Sequence, residues 1–368
     1  MWSPGPRFQR GQEKNNWELS FYGLGSCTAA DLCLDVKPLE VQLSAAGLGR
    51  LHVRIPEHAV VDVDRCGSRL RRGVLTLSWP PLDAEFSREC VLELASEVPL
   101  VFVCRDFLAA ADCAEVVQAA VEHGSRTTAM EDYEVKYNMA PYPLLEGAMD
   151  SKLQRLLESV YARVDAVCGL ARHPDEQVPR VHFYRAREVG RGGRMPSGLH
   201  LDSNGRPYRY ATAILYLTSV PEAGDGATAF PCAGAGAAAA REAGEELLRG
   251  GTQHSGNLVD PDHKPLAQEL LRAAEASEGL SVHPEVGKLV VFFTRRADGE
   301  IDGASWHGGA RVARAGAGGG KWILQFFKEV PAALRGHEAM ARFVESRRTL
   351  PGFTLHGVRH CLAGTRTE

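Results

Sequence analysis

A series of apolar, strand-forming segments in the second half of the chain limits the possible folds more than any other pattern. These segments are rich in β-branched and aromatic residues, and stretches rich in glycine and proline separate them. They are Arg180–Tyr184, Tyr210–Leu217, Gly287–Phe293 and Lys321–Phe327. Several strands bounded by turn-forming residues favour a β-sandwich or a barrel-like roll.

Helical periodicity predicts helices on both sides of these strands. Asp112–Glu122 and Ser151–Cys168 carry apolar residues at helical spacing, and each is followed by a glycine. A C-terminal extension, residues 331–368, contains a short predicted helix over His337–Ser346. We interpret the first two of these helices as packing elements, because neither carries a cluster of catalytic residue types on one face.

Residues 233–279 interrupt the strand series and are predicted to form an insertion. The tract Ala233–Ala240 is nearly pure alanine and glycine, and helical patterns follow near Glu245–Leu248 and over Leu266–Ala276. We expect this insertion to be a surface excursion. His254 and His263, with two aspartates between them, fall inside it, and a solvated loop is the simplest interpretation of that stretch.

The N-terminal part, residues 17–100, is predicted to be a β-rich module. Leu51–Ile55 alternates apolar and basic residues, and Val74–Trp79 is a second strand-forming segment. With the run LDVKPLEVQL, this pattern resembles the small β-sandwich of the CS (p23-like) co-chaperone family. The resemblance implies a protein partner for the module; a plain β-rich extension packed on the next domain, residues 101–330, is the alternative.

Composition narrows the classes of partner and compartment. The 42 basic and 46 acidic residues give a formal charge of −4, which argues against a nucleic-acid binder that relies on a broadly basic surface. The nine cysteines include no C-x-x-C pair, and thiols scattered in this way are typical of a reducing compartment. No apolar run suits a secretory signal or a bilayer span. We therefore expect a cytoplasmic or nuclear protein with no nucleic-acid or membrane partner.

His200, Asp202 and His307 are the residues that suggest chemistry. In a strand, side chains two residues apart project from one face, so His200 and Asp202 would point at the same place. A third donor from the distant His307 would complete a face of two histidines and one carboxylate, which is typical of non-haem Fe(II) oxygenases. The patterns at His173 and His283 resemble this one but contain a central proline, which disfavours an interior strand.

The order of further residues resembles the prolyl 4-hydroxylase-like branch of the Fe(II)/2-oxoglutarate dioxygenases. After the H-x-D pair come the turn Gly226–Pro231, the strand Gly287–Phe293, then His307, and finally the pair Lys321–Trp322. The resemblance covers roughly residues 179–329 without the insertion. It implies a mainly β protein with helices, built on a double-stranded β-helix (jelly-roll) catalytic domain with supporting helices.

The resemblance also implies roles for individual residues. It implies that His200, Asp202 and His307 are the iron ligands and that Lys321 binds the far carboxylate of 2-oxoglutarate. Tyr184 and Thr228 correspond to hydroxyls that bind the same cosubstrate, and Arg209 to a position that faces the substrate. The spacing of fourteen residues from His307 to Lys321 is longer than is usual in the family, so Arg311 and Arg314 are alternative partners for the carboxylate.

The implied activity is hydroxylation of a C–H bond, coupled to decarboxylation of 2-oxoglutarate. Fe(II), 2-oxoglutarate, dioxygen and ascorbate are the implied cofactors and cosubstrates. The substrate is expected to be a protein side chain, proline included, or a small molecule, because Ser197 replaces a tyrosine that prolyl hydroxylases often carry before the first iron ligand. Two alternatives are a non-catalytic interaction or co-chaperone protein with a degenerate dioxygenase domain, and a zinc hydrolase with the same ligands.

Overall fold

The computed structural model divides the chain into two units. One unit comprises Met1–Arg88 with Arg155–Ala171, and the other comprises Glu89–Gln154 with Arg172–Thr354. The residues that the structure describes are 6–10, 17–24, 27–37, 40–45, 49–55, 66–72, 74–79, 92–123, 125–129, 134–138, 151–170, 172–186, 195, 198–221, 226–254, 264–296, 298–314 and 319–348.

Eighteen strands and five α-helices are present in these residues. The strands are β1 (Arg7–Arg10), β2 (Trp17–Phe21), β3 (Leu32–Lys37), β4 (Glu40–Ala45), β5 (Gly49–Arg54), β6 (Gly67–Arg71), β7 (Val74–Trp79), β8 (Glu93–Ser96), β9 (Val101–Cys104), β10 (Ser125–Ala129), β11 (Glu134–Asn138), β12 (Arg180–Arg185), β13 (Arg209–Tyr216), β14 (Thr228–Phe230), β15 (Leu280–Val282), β16 (Leu289–Phe293), β17 (Gly308–Gly309) and β18 (Gly320–Glu329). The helices are α1 (Ala110–His123), α2 (Ser151–Cys168), α3 (Ala238–Arg249), α4 (Lys264–Glu275) and α5 (His337–Arg348). Among the described residues, no helix combines the length and the apolar character that a membrane span requires.

The first unit is built from two antiparallel sheets that share one apolar core. Their strand orders are β1-β2-β7-β6 and β3-β4-β5. Alternate residues of the strands are buried, as the period of two requires, and they form one cluster that includes Leu19, Phe21, Val41, Leu43 and Leu77. The similarity of this module to CS-type co-chaperones stays a prediction.

The second unit contains an eight-stranded antiparallel sheet of order β10-β11-β12-β18-β13-β16-β9-β8. Its central strands β13 and β16 are buried along their whole length because both of their faces are covered. The sheet begins with β8 at Glu93, so it includes residues that the sequence pattern assigned to the N-terminal module.

A three-stranded sheet of order β15-β14-β17 packs against the inner face of the large sheet. The Tyr216 hydroxyl of β13 lies 2.6 Å from that of Thr228 in β14 and donates to the carbonyl of Val282 in β15. Phe230 and Phe292 meet edge to face between the sheets at 5.1 Å. Two antiparallel sheets packed face to face form the jelly roll, which confirms the predicted mainly β fold.

One face of each insertion helix, α3 and α4, is buried against the roll, and the expectation of a surface excursion is wrong for these faces. Their small apolar residues, among them Ala243 and Leu270, share one core with Leu199, Leu201 and Trp306. The Trp306 indole donates to the carbonyl of Gly244 in α3 at 3.1 Å. The alanine-rich composition therefore reflects close helix packing, because larger side chains would hold the helices away from the roll.

Gly244 marks the closest approach of α3 to the roll. A Cβ atom there would lie 2.7 Å from the Gly303 carbonyl oxygen and 2.8 Å from the Trp306 ring. Despite the better helix propensity of alanine, we predict that Gly244→Ala lowers the free energy of unfolding by about 1–3 kcal/mol, measured by denaturant titration. Gly236→Ala, where a Cβ meets nothing within 4 Å, is the control; an equal effect of both substitutions would contradict this packing.

Candidate active site

The backbone brings the three predicted metal ligands to one point. His200 exchanges two backbone hydrogen bonds with His307, of 2.9 and 3.0 Å, and on its other side Leu201 donates to the carbonyl of Gln253 at 2.9 Å. The prediction that the H-x-D segment is a strand is wrong: His200 forms isolated bridges with His307 and with His254 of the insertion, and Asp202 lies in a turn. The donor atoms of His200, Asp202 and His307 all lie within 4.8 Å of one another.

The geometry of this group fits a divalent metal ion. The Nε2 atoms of His200 and His307 each lie 3.5 Å from one oxygen of the Asp202 carboxylate. Metal–nitrogen bonds of about 2 Å place neighbouring ligands of one ion about 3 Å apart, so a small closure would complete the site. His307 Nδ1 donates to the Ser305 carbonyl at 3.0 Å, which leaves Nε2 as the donor to a metal.

The charge state of the group also suits a cation. Burial lowers the pKa of His307 to about 4, so its imidazole is neutral and able to ligate at neutral pH. Burial acts to raise the pKa of Asp202, but the neighbouring imidazoles of His307 and His200 and the Arg209 guanidinium hold that pKa below its usual range. The carboxylate is therefore ionised and available to a metal.

Thr212 orients the Asp202 carboxylate and was not predicted from the sequence. Its Oγ1 donates to Asp202 Oδ2 at 2.5 Å from the neighbouring strand β13. Both side chains are buried, with 2% of Asp202 exposed. Only the tertiary fold reveals this contact, because Asp202 lies in a turn and a threonine in an apolar strand carries no distinguishing pattern.

Arg209 lines the same cavity, but the structure shows its terminal nitrogens bound within the protein. Nη1 donates to the Asp202 backbone carbonyl at 2.7 Å and Nη2 donates to Gln177 at 2.6 Å. The guanidinium lies 3.6 Å above the Phe327 ring. Arg209 therefore holds the segment that bears Asp202, and contact with a substrate stays a prediction.

The residues predicted to bind the cosubstrate line one cavity with the metal-ligand group. The cavity has a volume of about 620 Å³, and Tyr184, Thr228 and Lys321 all contribute to its wall. Arg311 and Arg314, the alternatives to Lys321, are not among its lining residues. The longer connection between His307 and Lys321 thus leaves the lysine facing the cavity.

Lys321 is a buried cation with room for an anion. Its Nζ donates to the Gly226 carbonyl at 2.8 Å and lies 4.6 Å from the centre of the Tyr184 ring. Burial lowers the pKa of Lys321 to about 8, although the Glu134 charge acts in the opposite direction. A carboxylate beside Nζ would compensate the charge that this environment leaves poorly solvated.

Two further groups of the cavity wall were not foreseen. Glu134, in a strand that the sequence pattern did not predict, lies 2.8 Å from His182 Nδ1, and the Tyr184 hydroxyl lies 3.3 Å from the same atom. His254 of the insertion also lines the cavity, with its ring centre 5.9 Å from that of His200. The interpretation of the histidine-containing stretch as a solvated loop is therefore wrong for His254; residues 255–263 lie outside the described residues.

We predict that Thr212→Val weakens metal binding about 10–100-fold, because loss of a hydrogen bond to a ligand costs that much at comparable sites. Anaerobic calorimetric titration of Fe(II) into the metal-free protein measures the change. Thr76→Val, which removes a hydroxyl bonded to Ser20 in the first unit, is the control. Unchanged affinity in the Thr212 variant would show that its hydroxyl does not orient the ligand.

Comparison with known proteins places these features in context. No protein-family model matches the chain. It is 23% identical over 235 residues to the probable prolyl 4-hydroxylase 3 of Arabidopsis thaliana, covering 62% of this chain and 69% of the relative. Among solved structures, the collagen prolyl hydroxylase of Paramecium bursaria Chlorella virus-1, in a 2-oxoglutarate complex, shares 13% identity over 63% of this chain and 96% of that one, with a TM-score of 0.34. The dioxygenase for auxin oxidation in rice shares 11% identity, with coverage of 65% of this chain and 76% of the rice protein. Its TM-score is also 0.34.

The similarity to the probable prolyl 4-hydroxylase is seen both in the sequence match and in the site. The match covers more than half of the chain, and the three metal-ligand candidates meet in the second unit. The chain is thus similar in sequence to a probable prolyl 4-hydroxylase, and its jelly-roll fold brings His200, Asp202 and His307 together in a group that could hold a metal ion.

Proposed function

We propose that this protein is an Fe(II)- and 2-oxoglutarate-dependent hydroxylase whose ligands are His200, Asp202 and His307. The observation that carries the proposal is the position of this group and of the buried Lys321 in the wall of one cavity. When bound, iron would supply the redox chemistry that couples decarboxylation of 2-oxoglutarate to hydroxylation of a C–H bond. A zinc hydrolase would need no buried lysine at this place.

The protein's own residues would bind and orient the reactants. His200, Asp202 and His307 would hold the metal from one side and would leave room on it for the cosubstrate. Lys321 is placed to bind the far carboxylate of 2-oxoglutarate, and the hydroxyls of Tyr184 and Thr228 lie in the same wall. The buried sheet residues around them exclude water, which strengthens the ion pair with the cosubstrate.

The substrate in this proposal is a protein side chain, with proline the first to test, or a small molecule. Similarity to a probable prolyl 4-hydroxylase supports proline. Most of the loop around residues 190–198, expected to border the entrance, lies outside the described residues. Ascorbate as reductant, a cytoplasmic or nuclear location and a protein partner of the N-terminal unit belong to the proposal as well. Cysteines that form no disulfide, such as Cys27 and Cys232, support a reducing compartment.

The central test is formation of succinate from 2-oxoglutarate in the presence of Fe(II) and dioxygen. We predict that His200→Ala and Asp202→Ala each lower the rate more than about 100-fold, because loss of an outer-sphere partner alone costs about 10–100-fold. Lys321→Ala should raise the KM for 2-oxoglutarate about 30-fold or more, since it removes the partner of a buried charge. Mass spectrometry of succinate measures both effects.

The matched control is Arg314→Ala, which removes an exposed cation near the same sequence position. Its KM for 2-oxoglutarate should equal that of the wild type. Absence of succinate with the wild-type protein would instead favour the non-catalytic alternative, an interaction protein on a degenerate dioxygenase domain.

The KM for 2-oxoglutarate should depend on pH through the charge of Lys321. Because burial lowers its pKa to about 8, the ammonium is present below that pH and is lost as the pH rises through it. We predict that the KM for 2-oxoglutarate rises by up to about tenfold per pH unit above pH 8. Steady-state kinetics between pH 7 and pH 9.5 measure this rise, and Lys321→Arg should flatten it because a guanidinium stays charged. The same rise in both proteins would assign the titration to another group.

A further inference from the structure

The inner face of the large sheet extends well beyond Lys321. Alternate residues of β12 and β18 face the cavity, and the register places Tyr184 beside Lys321, His182 beside Ile323 and Arg180 beside Gln325. Four residues of a strand span about 13 Å. Arg180 therefore lies too far along β12 to share the carboxylate that Lys321 is placed to bind.

The charges on the cavity wall do not balance. Among the described lining residues there are four lysine and arginine side chains, Lys136, Arg180, Arg209 and Lys321, and two carboxylates, Glu134 and Asp202. A divalent iron and a doubly charged 2-oxoglutarate cancel each other, so the loaded cavity keeps an excess of positive charge. This excess lies within a chain whose formal charge is −4, which makes it a local feature and not a property of the surface as a whole.

Three of the four basic side chains are accounted for by a carboxylate: two by carboxylates of the protein and one by the proposed 2-oxoglutarate. Lys136 lies 3.2 Å from Glu134, Arg209 lies 3.6 Å from Asp202, and Lys321 is placed for 2-oxoglutarate. In the part of the chain that the structure describes, no carboxylate forms an ion pair with Arg180. Its guanidinium is the lining cation left over once the others are assigned.

The unpaired charge is concentrated on one side of the cavity. Burial lowers the pKa of His182; the Glu134 carboxylate acts against this, and the charges of Lys136 and Arg180 add to it, while Arg180 also acts on Arg209. Lys136 and Arg180 therefore lie on the same side of the cavity, where the one nearby lining carboxylate, Glu134, already contacts His182 and Lys136. Mutual repulsion of this kind is relieved by an anion that contacts them.

We infer that Arg180, with Lys136 beside it, binds a carboxylate of the substrate. The inference rests on the proposed function, because it assumes that Lys321 and the metal-ligand group take the cosubstrate. A guanidinium presents a planar fork that matches a carboxylate in a bidentate pair. The carboxylate belongs either to an acidic side chain of a peptide or to the main-chain carboxyl group of a free amino acid, and the two sources are separable by experiment.

The test compares probes that differ only in the carboxylate. One pair is acetyl-Gly-Pro-Glu-Gly-amide and its glutamine counterpart; the other is L-proline and L-prolinamide. Calorimetry measures their binding to the full-length protein loaded with Fe(II) and 2-oxoglutarate under anaerobic conditions, so no turnover is needed. We expect the wild type to bind the acidic member of one pair about tenfold more tightly than its amide; the pair that shows this preference identifies the source.

Variants separate Arg180 from the general field of the cavity. Arg180→Gln should reduce the preference to within about twofold, and Arg180→Lys should keep part of it because the charge remains. Arg185→Gln is the matched control, since Arg185 lies on the same strand, is exposed and does not line the cavity. It should keep both the preference and the basal rate of succinate formation.

The wild type alone provides a second test, which does not depend on folding of the variants. Raising NaCl from about 50 mM to about 500 mM should shrink the preference for the acidic probe, because salt screens a partly exposed ion pair. Equal binding of both members of each pair, binding of neither, or a preference that survives in Arg180→Gln would overturn the inference. Absence of succinate formation would refute the proposed function separately, since the binding preference is measured without turnover.

Discussion

Asp202 carries an ionised carboxylate that is almost completely removed from water. Such a charge is strongly unfavourable unless hydrogen bonds and opposite charges compensate it. Thr212 supplies a hydrogen bond to one oxygen, and the Nε2 atoms of His200 and His307 face both oxygens. Those imidazoles are positioned to donate lone pairs to a cation, so an ion between the three side chains completes the compensation. The surrounding structure is arranged around this requirement.

Two distant parts of the chain and an insertion hold this arrangement in place. The backbone of His200 is bonded to that of His307, and the adjacent Leu201 to that of Gln253. Trp306, next to a ligand, packs under α3 and bonds to Gly244. Because α3 and Gln253 contact both sides of the ligand group, loosening of the insertion would disturb metal binding directly. The insertion therefore acts as a structural support of the site as well as a contributor of His254 to its wall.

Sequence patterns predicted the elements whose local signals are strong. The strands at Arg180 and Val74, the helix Ser151–Cys168 and the C-terminal helix were all foreseen, because period and turn residues define them locally. The strand that carries Glu134 was not foreseen, since it is short and mixes charged with apolar residues. The location of the insertion was foreseen but its burial was not, because alanine is compatible with both exposed and closely packed helices. Contacts such as Thr212 to Asp202 join a strand to a turn, and local sequence does not encode which turn folds against which strand.

Anaerobic titration of 2-oxoglutarate into the full-length protein, with and without one equivalent of Fe(II), tests the central claim most directly. If His200, Asp202 and His307 hold an ion with vacant positions beside Lys321, one molecule of 2-oxoglutarate binds per metal, and it binds at least about 100-fold more tightly than without metal, since two ligand bonds are added to the ion pair. Equal affinity in the two titrations, or no binding in the presence of Fe(II), would contradict the account.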